Sequence, residues 1–143
     1  MDVTAGLKYL HNEVKTAHTN LSPWNILSTT DGTWKLSDVG FAFIPPGNLP
    51  RNAPYTAPEQ THDCSFKCDI YAFGLILYQM ISRDLDNIEL VVEKLNHNEP
   101  ILFNRIDSFH LCFESLIINM TQVHPSKRMA IHEIGQRILL TCS

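Results

Sequence analysis

Apolar side chains recur at helical spacing along most of the chain and predict a mainly α-helical domain. Residues 2–12 form the first such stretch, and residues 85–97 and 106–120 form two more. A last helix is predicted to begin near Ser126, whose side chain is of a type that caps helix N-termini. Residues 69–82 are apolar on all sides, which is typical of a core helix enclosed by others.

A small β-hairpin and a long irregular segment interrupt the helical pattern near the front of the chain. Asn25–Ser28 and Thr33–Ser37 read as two short strands, and the Asp-Gly pair at 31–32 favours a hairpin turn between them. Residues 17–25 contain turn formers and a proline, so a loop is predicted there. Five prolines make residues 41–58 largely irregular.

Composition excludes several classes of protein. The 143 residues are 44% hydrophobic and 18% charged, which fits one compact domain and excludes a disordered tail. A net charge of −4 without a basic run predicts no nucleic-acid partner. The start of the chain has no signal-peptide pattern, and its most apolar run is too short to span a bilayer. Four scattered cysteines favour a reduced, intracellular protein.

Three short features allow a functional interpretation but favour a plain structural one. His62, Cys64 and Cys68 could ligate zinc, but no fourth ligand is evident and packing or surface roles are favoured. Pro45-Pro46 could present a polyproline ligand, although a stiff loop is the simpler interpretation. The hydroxyls at 55 and 56 could be phosphorylated, but Tyr55 is expected to be a packing residue.

Five short motifs follow one another in an order and at spacings that are specific only when taken together. They are His18 to Asn25, Asp38-Val39-Gly40, Ala57-Pro58-Glu59, Asp69 to Gly74, and Arg128. This order resembles the C-terminal lobe of a eukaryotic protein kinase, whose motifs are H-R-D-L-x-x-x-N, D-F-G and A-P-E. The resemblance implies a fold that is mainly α with a small β-hairpin, here a truncated lobe without the N-terminal lobe.

The resemblance also divides the chain. Residues 1–143 would form one kinase-like domain, C-terminal lobe only, with residues 17–25 as a degenerate catalytic loop and 38–59 as the activation segment. Residues 7–11, 23–26 and 55–59 are further similar to the Scy-like pseudokinases.

Two positions that carry the chemistry in kinases are altered. By the resemblance, Asn20 replaces the aspartate that accepts the proton of the substrate hydroxyl, and Ser22 replaces the lysine that steadies the transferred phosphoryl group. A carboxamide has no useful basicity near neutral pH, and a hydroxyl brings no positive charge. Thr19 stands where the arginine that clamps a phosphorylated activation segment would be. No catalytic residue is therefore expected to be intact.

The two metal-holding positions are retained in type. Asn25 and Asp38 match the side chains that hold Mg²⁺ in kinases, and they would be vestigial metal and nucleotide positions. A turn residue and a strand-end cap are the structural alternatives for them. The resemblance places the glycine-rich loop and the strand lysine in a lobe that precedes this sequence. No cofactor is therefore expected for this chain. ATP and Mg²⁺ are expected to bind only if an N-terminal lobe is supplied.

Three retained residues are expected to be structural. By the resemblance, Glu59 and Arg128 form an ion pair that ties the activation segment to the last helices. Asp69 would accept backbone N–H bonds from the catalytic loop, because an unpaired carboxylate is costly to bury.

The resemblance implies a catalytically degenerate kinase fragment that acts as a protein-interaction scaffold. Through the Scy-like family, its partners would be trafficking or coat proteins of the Golgi, endosomes and clathrin membranes, with no nucleic acid and no direct membrane insertion. The expected location is cytoplasmic, peripheral to those membranes. The alternatives are an ATP-dependent protein kinase, or part of one, that uses Asp38 and Asn25, and an inert fragment that is not a stable protein.

Overall fold

The computed structural model describes residues 2–39, 54–61, 65–82, 87–103 and 108–141. Within these ranges the fold is mostly helical with one two-stranded antiparallel hairpin, as the sequence predicts. The helices and strands are α1 (Asp2–Tyr9), β1 (Ile26–Ser28), β2 (Trp34–Leu36), α2 (Lys67–Ser82), α3 (Ile88–Asn96), α4 (Ser108–Met120) and α5 (Ile131–Thr141). No helix in the described ranges combines the length and the apolar character that crossing a membrane requires.

Helix α2 lies at the centre of the core, as its all-round apolar sequence predicts. Almost every side chain along it is buried, and α4 is its main neighbour. The packing is tight at Gly74, where a Cβ atom would lie 2.8 Å from Met120 Cβ and 2.8 Å from Thr121 Cγ2. Glycine at this position lets the two backbones pack without overlap.

We expect Gly74→Ala to lower the free energy of unfolding. Overpacking a well-packed core costs about 1–3 kcal/mol, whereas alanine gains only about 1 kcal/mol over glycine in helix propensity. The matched control is Gly135→Ala in α5, because a Cβ there meets only Thr4 Cγ2, at an ordinary 3.5 Å. Urea unfolding should show the first variant destabilised and the second unchanged or stabilised; equal behaviour of the two would contradict the packing argument.

Helix α1 packs against strand β2 of the hairpin and against helix α5. A Cβ at Gly6 would lie 3.0 Å from Leu36 Cδ1, so the small residue allows β2 to pack close to the helix. The backbone N–H of Trp34 donates to Asp2 Oδ2 at 2.8 Å and fixes the end of the hairpin on the first turn of α1. After Tyr9 the chain continues as a π-helical turn, Leu10–Val14, so the predicted helix over 2–12 is confirmed with a wider last turn.

The connection between the strands is longer than a two-residue hairpin turn. Strand pairing ends at Ser28 and Trp34, and the Thr29 N–H donates to the Thr33 carbonyl at 2.9 Å across the loop. The loop is stabilised by Asp31, whose carboxylate accepts the Thr29 hydroxyl and, at 3.0 Å, the Thr33 N–H. Gly32 has φ +82°, which glycine adopts without steric cost.

These hydrogen bonds lower the pKa of Asp31 to about 2 from 3.8, with the Thr29 hydroxyl the largest cause. Because the folded pKa is depressed, the stabilisation is present above pH 3.8 and is lost as the pH falls towards 2. We expect Asp31→Asn to lower the midpoint of thermal unfolding at pH 5, and the difference from the wild type to shrink as the pH falls through 2. Glu13→Gln, at another exposed carboxylate, should show no such convergence.

The predicted start of the last helix is wrong. Ser126 lies in the 3₁₀ turn Pro125–Lys127 and caps no α-helix, because Arg128 interrupts the helix with extended backbone angles. That conformation buries the Arg128 side chain. Helix α5 begins at Ile131, and its first turn is capped from within, by Glu133 Oε2 accepting the Ala130 N–H at 2.5 Å.

Candidate catalytic-loop site

Asp69 organises the loop that the sequence identifies as a degenerate catalytic loop. It lies in the first turn of α2 and is 1% exposed. Its Oδ2 accepts the His18 N–H at 2.7 Å, and its Oδ1 accepts the Thr19 N–H at 2.9 Å. His11 Nε2 donates to Oδ2 at 2.7 Å as well. Asp69 therefore accepts backbone N–H groups of the loop, as the sequence predicts.

His18 is fully buried and connects the loop to the end of the hairpin. Its Nε2 donates to the Ser37 carbonyl at 2.8 Å, so that nitrogen carries a hydrogen. Its Nδ1 accepts the Asn20 N–H at 3.3 Å. Both ring nitrogens are therefore used, and the neutral tautomer with hydrogen on Nε2 is the one that this arrangement stabilises.

Asn20 and Ser22 are both buried in this loop. The Asn20 carbonyl accepts Asn25 Nδ2 at 2.7 Å, so the two positions are held together. Ser22 has no exposed surface, and its hydroxyl has no hydrogen-bond partner among the described residues. A neutral amide and a buried hydroxyl supply neither a base nor a cation for phosphoryl transfer.

Asn25 and Asp38 lie at the same open end of the hairpin. The Ser37 N–H donates to the Asn25 carbonyl at 3.0 Å, which extends the strand pairing by one step and leaves Asp38 as the next residue. Asn25 is buried, whereas Asp38 is exposed with φ +58°. One amide and one carboxylate would supply two of the six oxygen ligands of Mg²⁺, and the others would come from water and phosphate oxygens. Within the described ranges, no three His, Cys, Asp or Glu side chains cluster as a metal site.

Gln60 is a site residue that the sequence analysis missed. It directly follows the Ala-Pro-Glu motif and is 6% exposed. Its Nε2 donates to the Thr19 carbonyl at 2.6 Å, and its Oε1 accepts the Ala57 N–H at 3.3 Å. The side chain therefore bridges the loop and the turn at 58–61. No pattern in the sequence separates this glutamine from a surface one, because the contact spans 41 positions.

Tyr55 is a packing residue, as expected. It is 3% exposed, and its hydroxyl donates to Gln79 Oε1 at 2.5 Å. Burial raises the pKa of Tyr55 above its usual value. The Trp24 ring lies edge-on to the Tyr55 ring, with centroids 6.1 Å apart, and is itself 73% exposed. The loop thus presents one large aromatic side chain to solvent next to a buried one.

Glu59 and Arg128 form the expected ion pair. Arg128 Nη1 lies 2.5 Å from Glu59 Oε1 and Nη2 lies 2.9 Å from Oε2, a bidentate arrangement. The guanidinium, which is buried, also donates to three carbonyls, those of Lys67, Gln122 and Val123. The pair joins the Ala-Pro-Glu turn to the segment before α5.

Two titratable side chains, Tyr71 and Lys67, lie next to Arg128 of this ion pair. The Arg128 guanidinium lies 4.8 Å from the centroid of the Tyr71 ring, and burial raises the pKa of Tyr71 to about 12. The Tyr71 hydroxyl has no hydrogen-bond partner among the described residues. Lys67 donates to the Arg128 carbonyl, and its partial burial lowers the pKa of the ammonium group.

Several sequence predictions fall outside the described residues. Gly40 of the Asp-Val-Gly motif, Pro45-Pro46, and His62 with Cys64 are among them. The predicted activation segment over 38–59 is accordingly described only at its two ends. Cys68 is described: it is buried, with Sγ 3.7 Å from Glu59 Oε1.

A family model for the protein kinase domain matches residues 1–139 of this chain. The chain belongs to the protein kinase family. The loop at 17–25, the hairpin and the Ala-Pro-Glu turn are thus parts of a kinase-family domain, and their contacts are the ones described above.

The kinase-family chain is similar to several curated kinases. It is 28% identical over 160 residues to the dual specificity protein kinase shkE of Dictyostelium discoideum, covering 96% of this chain and 21% of that protein. It is 37% identical over 101 residues to the receptor-like kinase SOBIR1 of Arabidopsis thaliana, covering 62% of this chain and 16% of that protein. It is 28% identical over 147 residues to the serine/threonine-protein kinase stk11 of Xenopus laevis, covering 92% of this chain and 33% of that protein. The chain thus spans between about a sixth and a third of these relatives' lengths.

Proposed function

We propose that this kinase-family chain is a C-terminal-lobe pseudokinase that binds proteins and does not transfer phosphate. The observation that carries the proposal is Asn20, an amide where the resemblance to kinases requires the carboxylate that accepts the substrate proton. Ser22 adds to it, because this residue is uncharged and has no exposed surface. Both electrostatic contributions to phosphoryl transfer would then be missing from one loop.

The same loop is nevertheless held in a defined conformation, which supports a retained binding role. Asp69, His18 and Gln60 fix its backbone through buried hydrogen bonds. Trp24 extends from this fixed loop with 73% of its surface exposed, and large exposed aromatic side chains are enriched at protein interfaces. A rigid backbone that displays an aromatic residue suits recognition of a protein partner.

The partner class follows from the resemblance to the Scy-like pseudokinases. Under this proposal the chain is cytoplasmic, peripheral to Golgi or endosomal membranes, and binds trafficking or coat proteins. A direct test is the affinity of the purified chain for clathrin heavy chain and for adaptor subunits, measured by biolayer interferometry. Binding that is lost in Trp24→Ser supports the proposal, whereas no binding to any coat component contradicts the trafficking part.

The catalytic part is tested by phosphate transfer from radiolabelled ATP to a mixed peptide library. We expect no labelling by the purified chain above that by the Asp38→Ala variant, which serves as a control for contaminating kinases. Labelling that disappears in both Asp38→Ala and Asn20→Ala would contradict the pseudokinase proposal. A thermal shift with ATP and Mg²⁺ should likewise be absent, because bound ligand would raise the unfolding midpoint.

The competing function is that of an ATP-dependent protein kinase, or part of one. One observation favours it: Asn25 and the residue before Asp38 are hydrogen-bonded, so the two metal-holding positions are neighbours at the open end of the hairpin. This function needs a base other than Asn20 and a lobe that holds the phosphates. A shift of several degrees with ATP and Mg²⁺, lost in Asp38→Ala, would support it.

A further inference from the structure

Gln60 connects two parts of the site that are far apart in sequence. Its amide nitrogen donates to the Thr19 carbonyl, and its amide oxygen accepts the Ala57 N–H. With 6% of its surface exposed, the side chain has few ways to exchange these partners for water. One neutral side chain thus joins the catalytic-like loop to the turn that ends the activation segment.

The backbone that Gln60 holds is unfavourable by itself. Thr19 has φ +67°, in the left-handed region, which is a genuine outlier for a β-branched residue. Such a conformation is energetically unfavourable and persists only where its surroundings impose it. Here Asp69 accepts the Thr19 N–H and Gln60 donates to the Thr19 carbonyl, so both backbone polar groups of the strained residue are fixed.

The surroundings of this contact contain further buried polar groups. Thr19, Thr56 and Gln60 line the same small gap. The hydroxyls of Thr19 and Thr56 are buried there without a hydrogen-bond partner in the described part of the chain. The Tyr55 hydroxyl is occupied by Gln79. The hydroxyls at 55 and 56 are therefore out of reach of a modifying enzyme while this contact is formed.

We propose that Gln60 is a positioning residue that couples the loop at 18–20 to the turn at 57–60 without phosphate and without a titrating group. It does so by imposing the left-handed conformation at Thr19, where the resemblance to kinases would place an arginine that binds a phosphate. The coupling is constitutive, because an amide neither ionises nor depends on modification. It is independent of whether the chain transfers phosphate, so its test can fail without affecting the proposed function.

Amide hydrogen exchange measured by NMR on the full 143-residue chain tests the coupling. Gln60→Leu removes both hydrogen bonds, so the Ala57 amide should exchange about tenfold faster, the effect of one lost hydrogen bond. The distinguishing signals are the His18 and Thr19 amides, whose acceptor is Asp69 and not Gln60. We expect about tenfold faster exchange there as well, relative to the Thr29 amide of the hairpin in the same sample.

A second variant separates the two bonds and keeps the size of the side chain. In Gln60→Glu the carboxylate still accepts the Ala57 N–H but cannot donate to the Thr19 carbonyl. The Ala57 amide should stay protected while the His18 and Thr19 amides exchange faster. This variant decides the question if Gln60→Leu does not fold. Gln136→Leu, at an exposed glutamine of α5, is the matched control and should change none of these rates.

Relief of the strain provides an independent readout. Thr19→Gly removes the steric cost of the left-handed conformation, so adding Gln60→Leu to that background should have little further effect on the His18 amide. Two results would overturn the proposal: wild-type exchange at His18 and Thr19 in both Gln60 variants, or an undiminished effect of Gln60→Leu in the glycine background.

Discussion

Arg128→Met is expected to lower the free energy of unfolding by about 3–5 kcal/mol, the cost of removing one partner of a buried ion pair. Its guanidinium forms two bonds to Glu59 and one to each of three backbone carbonyls. Methionine fills similar space but satisfies none of these acceptors. The cation also lies against the Tyr71 ring, and that contact is lost too.

Urea unfolding monitored by circular dichroism measures this loss. Lys127→Met, at the exposed neighbouring position, is the control and should change stability by less than about 0.5 kcal/mol. Arg128→Lys keeps the charge but not the planar fork, so it should fall between the wild type and methionine. The double variant Glu59→Leu/Arg128→Met should be more stable than Arg128→Met alone, because no unpaired carboxylate remains. A loss below about 1 kcal/mol in Arg128→Met would contradict the role assigned to the pair.

Asp69→Asn should cost about 2–4 kcal/mol, because a carboxylate that accepts three bonds becomes an amide with a single acceptor atom. Whichever way the amide is turned, its NH₂ group faces at least one buried N–H of the loop. The loop at 18–20 should therefore lose its conformation together with stability. We expect the amides of His18 and Thr19 to lose most of their protection from hydrogen exchange.

Asp2→Asn is the matched control for that substitution. The Asp2 carboxylate accepts one exposed N–H, from Trp34, and an amide oxygen can replace it there. Its cost should stay within about 0.5 kcal/mol. If the two variants are equally stable, Asp69 does not organise the loop. If Asp69→Asn destabilises the chain while loop protection persists, the carboxylate supports α2 alone.

The sequence predicts the elements well where local periodicity decides them. Helix α2 is apolar on every side, and its predicted range of 69–82 starts two residues later than the observed Lys67–Ser82. The start of α5 was missed for a physical reason: Ser126 has a capping side chain, but Arg128 must reach Glu59, and that long-range contact prevents a helix from starting at Ser126. Capping patterns do not contain information about such contacts.

The residues of the site also fall into those that the sequence predicts and those that it does not. The resemblance to kinases implied the roles of Asp69, Glu59 and Arg128, and the structure gives them the expected partners. Gln60 could not, because a glutamine is usually exposed and its two partners are backbone groups, which every residue has. The burial of Ser22 was equally hidden, since a serine in a turn is ordinarily at the surface.

The acceptor that shapes the loop at 18–20 lies 50 or more positions further along the chain. A nascent chain leaving the ribosome therefore contains residues 11–25 long before Asp69 has been synthesised. Contacts of such high sequence separation form late, because the loop-closure entropy must be overcome first. The His18 and Thr19 amides should consequently be among the last to gain protection during refolding, after α2 has formed.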